Sequence, residues 1–131
     1  MKKDIYENGA TRNKIPYRFD LIPAAGLEKI AARFELGVRN HGENLWRKGG
    51  PEFLKSSLNH AIHHLLDYLE NGNNEAIQGA GGNLGAVGWF IVVAAEFERR
   101  GLAWRGNRNI TQKEKQNARS HIRRPANKTS K

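Results

Sequence analysis

Between residues 60 and 70 the chain reads HAIHHLLDYLE, gathering His60, His63, His64, Asp67 and Glu70 into one short stretch. On a helix the His60–His64 spacing sets two imidazoles one turn apart on the same face. A divalent metal can bridge that separation, and Asp67 three residues further on could add an oxygen ligand. The residue after His60 is alanine, so the pattern is not the HExxH of zinc proteases. A polar face of this kind looks either into water or into a cleft, and both readings stand. Ser56 and Ser57 share the segment, but nothing in the spacing supplies the geometry of a serine triad. The chain has no cysteine. That excludes a disulfide scaffold, a thiolate zinc site and a cysteine nucleophile, and leaves catalysis to carboxylates, histidines, hydroxyls or a metal with oxygen and nitrogen ligands.

Two further stretches could contact an anion. GAGGNLGAVG, residues 79–88, places glycine amides before a helix start, as a phosphate cradle does. It lacks the Lys-Ser/Thr of a P-loop, and close helix packing explains the glycines as well. Trp46-Arg47-Lys48-Gly49 sets an aromatic plane beside two cations. It suits a nucleotide, with the base stacked and the phosphates neutralised, and equally suits a hydrophobic cap with two exposed cations.

The elements that must position these residues are helical. Pro23 opens a pattern in which Leu27, Ile30, Ala31, Phe34 and Val38 recur at helical spacing, predicting a helix from about Pro23 to Gly37 or a little beyond. Residues 40–50 read as a loop. Pro51 starts the next helix, to about Asn71, with a stripe of Leu54, Leu58, Ile62, Leu65 and Leu69, Ala61 beside it, and His60, His64 and Asp67 on the opposite side. After a Gly- and Asn-rich connection, residues 84–100 are apolar nearly all round, which predicts a buried helix, with the β-branched run 91–93 leaving some room for a strand. Thr111 and Glu114 fit a capping box, predicting a short basic helix to about Arg123.

No internal repeat and no alternating strand pattern is visible. The expected architecture is all-α: three main helices and a basic C-terminal one, with an arm over 1–17, a helical domain over 18–104 and a basic tail over 105–131. Three such helices bury limited surface, so pairing with a second copy would complete the core. Of 131 residues with net charge +9, those from Arg99 onward hold eleven basic side chains and one acid, or +10, leaving −1 for residues 1–98. A nucleic-acid argument therefore applies to the tail alone. The longest apolar run is far short of the roughly 20 residues of a bilayer span, and the N-terminus has no apolar signal core. The expectation is a cytoplasmic protein with no membrane partner.

Four segments in order resemble a phage family, the dATP/dGTP diphosphohydrolase type, related to the MazG-like all-α nucleoside triphosphate pyrophosphohydrolases. They are RFDLIPAAGLEKIA (18–31), the stretch from Gly37 to Gly49 ending in WRKG, NHAIHHLLDYLENG (59–72) and NLGAVGW (83–89). The resemblance implies a MazG-like helical bundle, often oligomeric, in the cytoplasm of the host. It also implies a nucleoside triphosphate bound through Mg²⁺ in an acidic cleft, with water releasing pyrophosphate and leaving the monophosphate. By position, His60 and His64 match histidines of the family's helix, and Arg18, Asp20, Trp46 and Lys48 match other recurrent positions.

On that basis Asp67, Glu70 and Glu75 are the expected metal ligands, and His64 with Asp67 the catalytic pair. His60, Trp46, Arg47, Lys48 and Arg18 are the expected substrate contacts. One departure stands out. Relatives tend to carry an acidic-histidine group just before the LGA-x-x-W helix, where this chain has Gly81-Gly82-Asn83, and the E-x-x-E and E-x-x-D pairs of MazG enzymes are missing. Losing two carboxylates removes most of a site's attraction for Mg²⁺. Alternatives are therefore a catalytically degenerate protein that sequesters a nucleotide, or a small basic nucleic-acid-associated protein acting through its tail.

Overall fold

The computed structural model describes residues 2–108 and 116–119. Four helices form the body: α1 (Ala24–His41), α2 (Pro51–Asn71), the single turn α3 (Glu75–Gln78) and α4 (Gly82–Arg99). The architecture is all-α, as the periodicity predicts. α1 starts one residue later and runs four residues longer than its apolar pattern alone suggests. α2 has the predicted bounds, with Pro51 in the first turn where its missing N–H matters least. The β-branched run 91–93 is helical.

Three details depart from the sequence reading. The arm contains a small antiparallel hairpin, β1 (Lys3–Ile5) against β2 (Thr11–Asn13), too short to show alternation. The 40–50 loop contains a 3-10 turn at Leu45–Lys48, and the Gly- and Asn-rich connection contains α3. Of the basic C-terminal helix expected over 111–123, residues 116–119 are helical and the remainder lies outside the described residues.

α4 is the central element. It packs along both α1 and α2, while those two make little contact with each other and leave a gap over α4. The core is Leu54, Val93 and Phe97, ringed by Phe34, Trp46, Phe53, Trp89, Phe90 and Trp104. The α1–α4 seam is set by glycine: a Cβ on Gly85 would lie 2.6 Å from the Lys29 carbonyl oxygen, so a larger residue would push the backbones apart. Gly85 and Gly88, which face Lys29 and Ile30, thus serve helix packing, while Gly79, Gly81 and Gly82 take positive φ in the turn into α4.

α2 does not use its leucine stripe for this core. Leu54 is 3% exposed, yet Ile62, Leu65 and Leu69 are 46%, 49% and 78% exposed. The face against α4 carries Leu54, Ser57, Ala61 and His64, roughly 80° round the helix from the stripe. Serine and alanine there let α4 approach closely, and α4 brings the apolar bulk. Ile91 and Val92 on the far side of α4 are exposed as well. Among the described residues no helix is long and apolar enough to cross a membrane.

Candidate functional site

The gap between α1 and α2 is a cavity of about 590 Å³ with Ala86 and Trp89 of α4 as its floor. That volume falls within the roughly 300–1,000 Å³ typical of small-molecule sites. α1 contributes Arg33 and Phe34, the 3-10 turn Trp46, and α2 Phe53, Ser56, Ser57, His60, Ala61 and His64. Glu35, His41 and Glu43 lie on the exposed part of the lining.

Aromatic rings make one side. Phe34 lies 6.1 Å from Trp46 and 6.0 Å from Trp89, and Phe53 lies 6.4 Å from Trp89, all by ring centroids. Trp46 stacks on Phe97 at 5.9 Å, with the Arg47 guanidinium 4.6 Å over its ring. It is therefore both a lid over the core and part of the cavity wall.

The other side is polar and is organised by Asn83, which is completely buried. Its Nδ2 donates to the Asp67 carboxylate at 2.6 Å and to the Gly72 carbonyl at 3.0 Å. Both partners are pure acceptors, so the amide has one orientation and its Oδ1 faces His64 Nδ1 at 2.9 Å. His64 accordingly carries its proton on Nδ1. Its Nε2 lone pair accepts from Arg33 Nη2 at 3.4 Å. Burial, and then the nearby positive charges of Arg33, His63 and His60, hold His64 below the ordinary imidazole range, against the opposing bond to Asn83.

Asp67 lies behind this layer and does not line the cavity. Four side-chain amides surround it: Asn83, Asn71 at 2.9 Å, Asn74 at 3.2 Å and Gln78 at 3.3 Å. Those bonds, Asn83 first, pull its carboxyl down to about 2. Glu75 is also committed, to the Lys29 ammonium at 2.8 Å and the Asn73 amide at 3.1 Å. Glu70 is exposed on α2.

The three acids expected to hold Mg²⁺ do not converge. Among the described residues no group of three or more histidines and carboxylates could hold a metal ion. The donor set here does not fit Mg²⁺, which needs several convergent carboxylate oxygens: both oxygens of Asp67 and Oε1 of Glu75 already accept from amide and ammonium donors, and Glu70 is exposed.

Of the expected substrate contacts, His60 and Trp46 line the cavity, as does His64 of the expected catalytic pair. Arg18, Arg47 and Lys48 are not part of its lining. Arg18 pairs bidentately with Asp20, both bonds at 2.8 Å on an exposed turn. Arg47 reaches Glu96 at 3.5 Å, and Lys48 is exposed.

The helix start at α4 is not an open phosphate cradle either. The Asn83 N–H donates to the Asn73 carbonyl at 2.9 Å and the Leu84 N–H to the Asn73 side chain at 2.7 Å, so one asparagine answers both amides. Ser57 Oγ donates to the Phe53 carbonyl on its own helix.

Two residues of the site are missing from the sequence expectations, Arg33 and Asn83. The available signal for Arg33 was a cation lying between Ile30 and Phe34 in the sequence of α1. For Asn83 it was a lone amide opening the most apolar helix of the chain.

Such a bundle, with a cavity that is aromatic on one side and carries Arg33, His60 and His64 on the other, defines a small α-helical pocket protein. The chain belongs to the family described as dATP/dGTP diphosphohydrolase, N-terminal, whose model matches residues 6–106, most of the arm included. That name is of a nucleotide hydrolase. Compared with the curated proteins and with the solved structures, the chain finds no match.

Proposed function

We propose that the chain binds a purine deoxynucleoside triphosphate in the α1–α2 cavity and acts as a nucleotide-holding member of its family. One observation carries this reading: aromatic rings that can take a base share a nucleotide-sized cavity with Arg33, His60 and His64. The family's name supplies the ligand class. Hydrolysis to the monophosphate and pyrophosphate with Mg²⁺, the other reading of the family, requires acids that here hold amides and a lysine. Retention without turnover is therefore favoured.

The test titrates dATP, dGTP, dCTP and dTTP calorimetrically and assays pyrophosphate release with MgCl₂. Purine binding without release is expected, together with a thermal shift, since a ligand present at 100 times its Kd stabilises the folded state by about 2.7 kcal/mol. Pyrophosphate release that Asp67→Ala abolishes would establish the hydrolase instead.

Two partners belong to the same proposal. The exposed Ile62, Leu65 and Leu69 stripe of α2 suits a second copy of the chain. Leu65→Glu with Leu69→Glu is expected to convert a dimer to a monomer in light scattering. The tail over 105–131, with nine basic side chains against one acid, suits nucleic acid, so deleting it should remove DNA affinity and its salt dependence while sparing the nucleotide. A cytoplasmic site of action accords with a nucleotide ligand.

A further inference from the structure

We propose that Arg33 binds the phosphates of the nucleotide directly, so that this chain holds its ligand without a divalent metal. The inference rests on the pocket assignment above and concerns what neutralises the ligand's charge there. A triphosphate entering a cavity needs several negative charges balanced, normally by cations that carboxylates hold in place. Asp67 and Glu75 are engaged otherwise, as described, and Glu70 is exposed on α2.

Arg33 offers the alternative. It is half-buried, lines the cavity, and among the described residues forms no ion pair with a carboxylate. Its Nη1 donates to the Gln78 carbonyl at 2.6 Å and the Ala80 carbonyl at 3.4 Å, which aims the guanidinium without neutralising it. Nη2 meets only the lone pair of a neutral imidazole, and among the described residues no hydrogen bond involves Nε–H. A guanidinium stays protonated in such a place and presents parallel N–H groups that match phosphate oxygens. Glu35 and Glu43, the two acids of the lining, are both exposed.

Asp67 acquires a different role in this arrangement. Through Asn74, Gln78 and Asn83 it ties down the segment whose carbonyls at 78 and 80 hold Arg33. It is a positioning residue for a cation on the chain, in place of a ligand to a cation from solution.

The experiment measures Kd for dATP and dGTP by calorimetry, with excess EDTA and with saturating MgCl₂. For the wild type the two values are expected to agree within about threefold. In EDTA, Arg33→Gln is expected to weaken binding about 10- to 100-fold, the span of a lost charge-assisted contact. Arg33→Lys should fall between, and deoxyadenosine, which has no phosphate, should bind both forms alike. Melting of the unliganded variants reports their folding. Should Arg33→Gln not fold, the series dAMP, dADP, dATP on the wild type in EDTA decides, with affinity expected to rise at each added phosphate.

Binding that appears only with Mg²⁺, an unchanged Kd in Arg33→Gln, or a flat phosphate series overturns the inference and leaves the pocket assignment intact. No binding in either buffer overturns the pocket assignment, and the inference with it.

Discussion

Replacing Asn83 tests the centre of the polar network. The side chain has no exposure and takes part in three hydrogen bonds, to Asp67, to the Gly72 carbonyl and from His64. At a net of about 1 kcal/mol each, Asn83→Ala is expected to lower stability by about 3 kcal/mol. For a chain of this length, at about 4 °C per kcal/mol, the melting temperature falls by about 12 °C. Asn83→Asp changes almost no volume but turns the donor 2.6 Å from Asp67 into an acceptor. Two carboxyl groups in that position must share a proton, which raises the folded-state pKa of the pair above its unfolded value. The variant's stability is then best below about pH 4, the unfolded carboxyl value, and is lost as pH rises through the raised folded value. Scanning calorimetry between pH 4 and pH 7 measures both effects. A drop of less than about 3 °C for Asn83→Ala, or a deficit for Asn83→Asp that does not grow with pH, would refute the assigned amide orientation and its bonds.

The remaining expectations follow from the same contacts. His64 has its folded pKa below the ordinary 6.5, so the unfolded chain binds its proton first. Its contribution to stability falls as pH drops through 6.5 toward the folded value, and an NMR titration midpoint at or above 6.5 would contradict this. Asp67, held near 2 against an ordinary 3.8, contributes stability above 3.8 that is lost as pH falls toward 2; in acid unfolding, Asp67→Asn should flatten that part of the curve. Gly85→Ala forces a Cβ against the Lys29 backbone and is expected to cost about 1–3 kcal/mol in urea unfolding. Phe97→Ala, at the centre of the core, is expected to cost about 3–5 kcal/mol in the same assay.

The helices were legible because hydrophobic spacing, Pro51 and the flanking glycines all agree with them. The orientation of α2 was not. Its leucine stripe is the most apolar face, yet the helix meets α4 along Leu54, Ser57, Ala61 and His64, because close approach depends on small residues and the partner helix carries the bulk. From one sequence, a stripe that faces a core and a stripe left outward look alike. That His60 and His64 face a cavity was one of two readings the polar side of α2 allowed, whereas Asp67 and Glu75 looked available as ligands only because their amide and lysine partners lie elsewhere in the chain. Arg33 was hidden by the regularity of α1, where one cation among apolar positions reads as an exposed side chain. Trp46 fitted two readings in the sequence, and its position allows both, against the core and along the cavity.

The close approach of Gly85 to the Lys29 backbone sets the α1–α4 spacing at main-chain separation, where even an added methyl group must displace a backbone. Ser56 and His60, on α2, line the cavity from exposed positions and carry none of the core. The α2 wall can therefore be varied without disturbing the seam, and a library randomised at these two positions is the economical place to alter what the cavity accepts.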